Sequence, residues 1–154
     1  MWFNKNDIVI SKSITLDDIH GYVLPHAGTK HTGEIISHTL RFKPKKKFSK
    51  VIILYYPSQP RPNVNGKWFH EYYVPWKSLD HVFKKYWKVT NVNFIGYNLN
   101  VMSINLSYLN LEDTLIIVSA DFSHFIPMED AIKLENKAAH SLMFNDFTKS
   151  DYIN

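Results

Sequence analysis

The chain has no cysteine, which excludes a disulfide scaffold, a thiolate metal site and a cysteine nucleophile within these 154 residues. Cysteine-free composition suits a reducing compartment. Glycine-rich phosphate loops are also missing. The sequence contains no GxGxxG, no P-loop and no GxSxG, so nucleotide-fold binding and serine-hydrolase chemistry have no motif behind them. No run approaches the roughly 18 apolar residues that span a bilayer. The opening segment MWFNKNDIVISKS is broken by charges and lacks a signal-peptide core. These absences give the expectation of a soluble, cytoplasmic protein. No repeat, low-complexity tract or Gly/Ser linker divides the chain, so residues 1–154 read as one domain.

Hydrophobic residues make up 45% and charged residues 21%, and a chain of this length buries a core of its own without a staple. The formal net charge of +4 is unevenly placed. Arg41, Lys43, Lys45, Lys46, Lys47 and Lys50 fall within ten positions that hold no acid. The remainder has 12 basic against 14 acidic residues. Such a turn either meets a phosphate or another anionic partner, or is a solvated loop after a helix. Any other partner, small molecule or protein, is left unidentified by the sequence.

The residue pattern predicts alternating strands and helices. Segment 8–10 is a short strand candidate, and GYVLP at 21–25 is an apolar run ending in a turn. Residues 33–42 carry loose helical spacing that Pro44 stops. KVIILYY at 50–56 and TLIIVSA at 114–120 read as strands buried on both faces of a parallel sheet. Segment 57–66, with three prolines, is a loop. Segment 68–74 reads as a strand, 79–87 as a helix, 91–97 as a strand, 101–111 as a helix and 128–144 as a helix of about four turns. The fold class is therefore α/β, a mostly parallel central sheet flanked by helices.

In such sheets ligands bind beyond the carboxyl ends of the strands. Three polar clusters sit there: Pro25-His26-Ala27-Gly28, Pro57-Ser58-Gln59 and Asp121-Phe122-Ser123-His124. His26 is either a metal ligand or a histidine bonded to backbone in a tight turn. Asp121 and His124 suit a carboxylate–imidazole acid–base pair, or else a turn cap beside an exposed histidine. His31, Glu34 and His38 share a helical face without forming HExxH. Four further histidines, His20, His70, His81 and His140, fit no pattern. The aromatic set Trp68, Phe69, Tyr72, Tyr73 and Trp76 reads as packing or as a recognition surface.

Taken in order, VLPHAGTKHTG (23–33), KVIILYYPSQ (50–59) and IIVSADFSHF (116–125) resemble the MEMO family, relatives of the class III extradiol ring-cleavage dioxygenases. The resemblance implies an α/β fold with a site at the strand ends. His26 would match the first metal-site histidine, His124 the site histidine that serves as acid–base, and Asp121 its neighbouring acid. Gln59 stands where the family has its second site histidine, and an amide is a poor substitute for imidazole at a transition metal. No counterpart of the family's Glu-His-Ser-like segment is recognisable, and family members are about twice as long. His31 replaces a usually aromatic position and is a compensating candidate. The expectation is a shortened member whose metal site, His26, Gln59 and His124, is degenerate. It would hold a divalent iron, copper or zinc ion weakly, bind a ligand or partner and be catalytically impaired. The alternatives are an active metal-dependent oxidoreductase working through His26 and His124, and a non-enzymatic interaction protein using the basic turn and aromatic loop.

Overall fold

The computed structural model describes residues 1–58, 61, 68–101, 105, 107, 111–122 and 126–144. Among the described residues six strands appear: β1 (Ile14–Leu16), β2 (Gly21–Leu24), β3 (Phe42–Pro44), β4 (Lys50–Tyr55), β5 (Asn93–Asn98) and β6 (Thr114–Ser119). The described α-helices are α1 (Thr29–Leu40), α2 (His70–Val82) and α3 (Met128–Phe144). A π-helical turn, Phe83–Trp87, continues α2. The main sheet has the order β2-β6-β4-β5, and every pairing in it is parallel. A separate parallel pair joins β1 to β3. The architecture is α/β with parallel sheets and flanking helices, as the alternating pattern predicts.

One face of the sheet presents Tyr22, Leu24, Val51, Ile53, Leu115 and Ile117 to a core shared with Ile36 and Leu40 of α1 and Val74, Leu79 and Val82 of α2. Helix α2 lies against β4 and β6, and α1 against β2 and α2. Each fully buried aliphatic side chain here contributes about 1.5–3 kcal/mol of transfer free energy. Strand β4 is buried at three successive positions, Val51, Ile52 and Ile53. Strand β6 is not: Val118 points to the other face and is more than a third exposed, as is Val23 beside it. An all-apolar run therefore fixed the strand but not the burial of its second face.

Segment 68–74 is not a strand. Its aromatic and β-branched residues look extended in isolation. From Tyr72, however, buried positions recur at Pro75, Leu79 and Val82, the spacing of one helical face, so the helix begins at His70. Pro75 lies inside α2 and removes the amide that would bond to the Glu71 carbonyl. Segment 8–10 also forms no strand. Ile8 and Ile10 are buried and Val9 is exposed, the alternation of a strand, but the Val9 amide donates to Ser37 Oγ rather than to a ladder. Most of 101–111 lies outside the described residues, which show only a 3-10 turn at Leu111–Asp113.

The chain forms two compact units, Met1–Ala120 and Asp121–Asn154. The second contains α3, which opens after Pro127 with Glu129 and Asp130 in its first turn, where the helix dipole favours acids. Among the described residues no helix is long and apolar enough to cross a membrane.

Candidate metal centre at the strand ends

Polar side chains gather beyond the carboxyl ends of β2 and β4, beside the end of β6. The first loop carries Pro25-His26 directly after β2. The His26 Nδ1 shares a 2.9 Å hydrogen bond with Ser119 Oγ at the end of β6. Since Leu24 pairs with Ser119 in the sheet, the backbone register brings these two side chains together. The second loop follows β4, where Ser58 donates through both its amide (2.9 Å) and its hydroxyl (2.8 Å) to Glu71 Oε1.

Glu71 sits in the first turn of α2, where the macrodipole favours a carboxylate, and is only 1% exposed. A buried carboxylate is costly unless charge or hydrogen bonds compensate it. Compensation comes from the two Ser58 donors and from His70, whose Nε2 is 3.2 Å from the same Oε1. The charge of Glu71 also acts on its surroundings. Burial first, and then Glu71, hold the Tyr55 hydroxyl above the usual phenol range.

His70 is oriented from the other side by Trp2, whose ring stacks on it with centroids 4.3 Å apart and planes inclined by 10°. The N-terminal segment that carries Trp2 is clasped to the start of α1. Thr29 N donates to the Trp2 carbonyl, Asn4 N donates to Thr29 Oγ1, and that hydroxyl donates to Asp7 Oδ2. His26 meets the other edge of His70 in a T-shaped contact at 5.7 Å. Ligand atoms of His26, His70 and Glu71 all lie within 4.8 Å of one another, and this is the one such trio among the described residues.

Among the described residues His26 is thus clustered with His70 and Glu71. Gln59 and His124 lie outside the described residues. Asp121 is exposed and belongs to the second unit. His31 is exposed on α1 and does not join the trio, and Glu34 and His38 are likewise exposed. The residues that sequence reasoning missed are His70, Glu71 and Trp2. A signal for the first two existed: a His-Glu pair follows a proline-rich loop and opens a run with helical spacing. Reading that run as a strand concealed it. For Trp2 there was no signal, because its role depends on a stacking contact across 68 positions.

The aromatic set beside the cluster packs mainly on itself. Tyr72 stacks on Trp76 (5.5 Å, 22°), and Trp68 reaches both. Lys77 Nζ lies 4.5 Å from the Trp76 ring centroid.

No family model, curated protein or solved structure matches the chain. The three motifs therefore carry the MEMO resemblance alone, and the geometry of the site has to be weighed on its own chemistry.

Proposed function

We propose that the chain is a MEMO-like, divalent-metal-binding α/β protein, with His26, His70 and Glu71 as the metal's protein donors. The observation that carries this reading is the convergence of two imidazoles and one buried carboxylate at the carboxyl ends of parallel strands. That donor set suits iron(II) or zinc, and leaves further coordination positions to water or a ligand. Ser119 beside His26, and Ser58 beside Glu71, are the outer hydrogen-bond partners that orient such ligands. A bound metal would supply Lewis acidity toward an oxygen-bearing ligand. This chain's own contribution is to hold the donors in place and to stack Trp2 against His70, which shields that ring. In this reading His70 and Glu71 take the place of the histidine that Gln59 lacks. The role is metal-dependent capture of a small ligand. The resemblance assigns any proton transfer to His124, with Asp121 orienting it.

The test is metal analysis of the purified chain, followed by titration of the chelator-treated protein with zinc. One equivalent should bind saturably, and His70→Ala should weaken binding by at least about 100-fold. A second reading is favoured by one observation: Ser58 and His70 all converge on the same oxygen of Glu71. On that reading the cluster is a metal-free pin between the β4 loop and α2. Zinc would then leave the melting temperature unchanged while Glu71→Gln lowered it.

A further inference from the structure

The opposite end of the sheet holds a recess. A cleft of about 550 Å³ lies between the turn entering β4 and the segment joining the π-helical turn to β5. Four lysines line it: Lys43, Lys45, Lys46 and Lys47. No acid is among its lining residues. Two of the cations are already engaged. Lys46 Nζ donates to the Thr114 carbonyl at 2.9 Å, and Lys45 pairs with Asp17 at 3.4 Å in an exposed contact. The Lys46 contact ties the turn to the start of β6, so the cations are presented by anchored backbone rather than by a loose loop.

The wall of the cleft adds an independent feature. Trp87 lines it, is only 4% exposed, and its Nε1–H has no hydrogen-bond partner among the described residues. A buried donor without an acceptor costs about 1–3 kcal/mol, so an acceptor brought by a ligand would recover a real deficit. Thr90 adds a hydroxyl on the same wall. The segment carrying it is bracketed by two non-glycine residues in the left-handed region, Lys88 (φ 55°) and Asn91 (φ 60°). Such conformations recur where a binding loop is held in a set shape.

From these features we infer that the cleft binds a small phosphate-bearing anion with two or more phosphate groups. Its phosphate oxygens would meet the ammonium groups of Lys43 and Lys47, and one of them would accept from the Trp87 indole. Ammonium groups bind phosphate as point charges, and the volume suits a small molecule. A duplex or flat nucleic-acid platform would instead call for an open surface with interleaved exposed aromatics. The site is separate from the His26, His70 and Glu71 cluster and does not rest on it.

The experiment is calorimetric titration of the full chain with inorganic tripolyphosphate, then with ATP, in the presence of excess EDTA so that no metal mediates binding. Saturable one-to-one binding is expected. Lys43→Glu with Lys47→Glu should weaken it by at least about tenfold, and Trp87→Phe by several-fold. Equal affinities would assign recognition to the phosphates alone. Tighter ATP binding would add a contact to the nucleoside; both results support the site. Because Trp87 is a core residue, the lysine pair, which lies outside the core, is the decisive variant. Non-saturable binding, binding indifferent to the lysine pair, or tighter binding of a short RNA than of either small anion would overturn the proposal.

Discussion

At the carboxyl end of β4 the chain buries a carboxylate against two serine donors and an imidazole, with a second imidazole alongside. At the amino end of the same strand it gathers four lysines around a cleft without lining acids. Both ends of the sheet carry charge, but they handle it differently. The carboxyl end holds one negative charge nearly out of water, where electrostatic interactions are strong and geometry has to be fixed by hydrogen bonds. The amino end keeps several positive charges in water, where each is weakly coupled and screened by salt. A buried site tolerates few substitutions and, on the proposed reading, responds to metal. An exposed site tolerates many and responds to ionic strength.

The largest expected effect separates the two ends most sharply. Glu71→Ala leaves the Ser58 amide without its acceptor and opens a cavity, and should destabilise the protein by about 3 kcal/mol. Chemical denaturation in excess chelator measures this. Anion binding at the lysine cleft of the surviving folded fraction should be unchanged. A loss below about 1 kcal/mol would show that Glu71 is not held as described.

A smaller effect should follow from Gly33→Ala. A Cβ at position 33 would lie 2.5 Å from the Asp7 carbonyl oxygen and 2.9 Å from Asp7 Cβ. Helix α1 rests on the N-terminal segment here with no room for a methyl group, so the segment has to shift, at a cost of about 2 kcal/mol. Since that segment carries Trp2, the stacking on His70 should suffer and zinc affinity fall with stability. Unchanged zinc affinity in a destabilised Gly33→Ala protein would remove Trp2 from the site.

Tyr22→Phe probes the space between the ends. The buried Tyr22 hydroxyl donates to the Phe42 carbonyl, tying β2 to β3, and burial holds its ionisation above the ordinary phenol range. The loss should be about 1 kcal/mol by thermal or chemical denaturation, with neither site affected.

The smallest effect concerns His81 on α2. Burial lowers its proton affinity, and Lys85 and Lys5 lower it further, against an opposing contribution from Asp80. The folded state therefore binds fewer protons than the unfolded state just below the ordinary histidine value of about 6.5. Stability should fall as pH drops below about 6.5, and level off once the folded-state histidine also protonates. His81→Gln should flatten this limb in denaturation curves measured between about pH 7 and pH 5. An unchanged limb would assign it to other groups.

Much of this molecule was legible in its sequence. Strands β4, β5 and β6, helix α3, the parallel α/β class and the placing of His26 and Ser58 at strand ends all follow from apolar runs and the turns after them. Such runs report burial directly. Strands β1 and β3 were not legible, because three residues of mixed character carry no period. The start of α2 was misread because aromatic residues favour extended backbone locally, while its true period appears only when positions 72 to 82 are read together. The donors His70 and Glu71 were lost with it. The partner of a sequence-legible histidine was thus fixed by a helix boundary, the feature that local pattern specifies least.

The central claim, that His26, His70 and Glu71 hold one divalent metal, is tested most directly by zinc titration of the chelator-treated protein and of its His70→Ala and His26→Ala variants. The account predicts one saturable site in the parent chain, weakened by at least about 100-fold in each variant while the fold is retained. No saturable site, or a site that survives both substitutions unaltered, would contradict it.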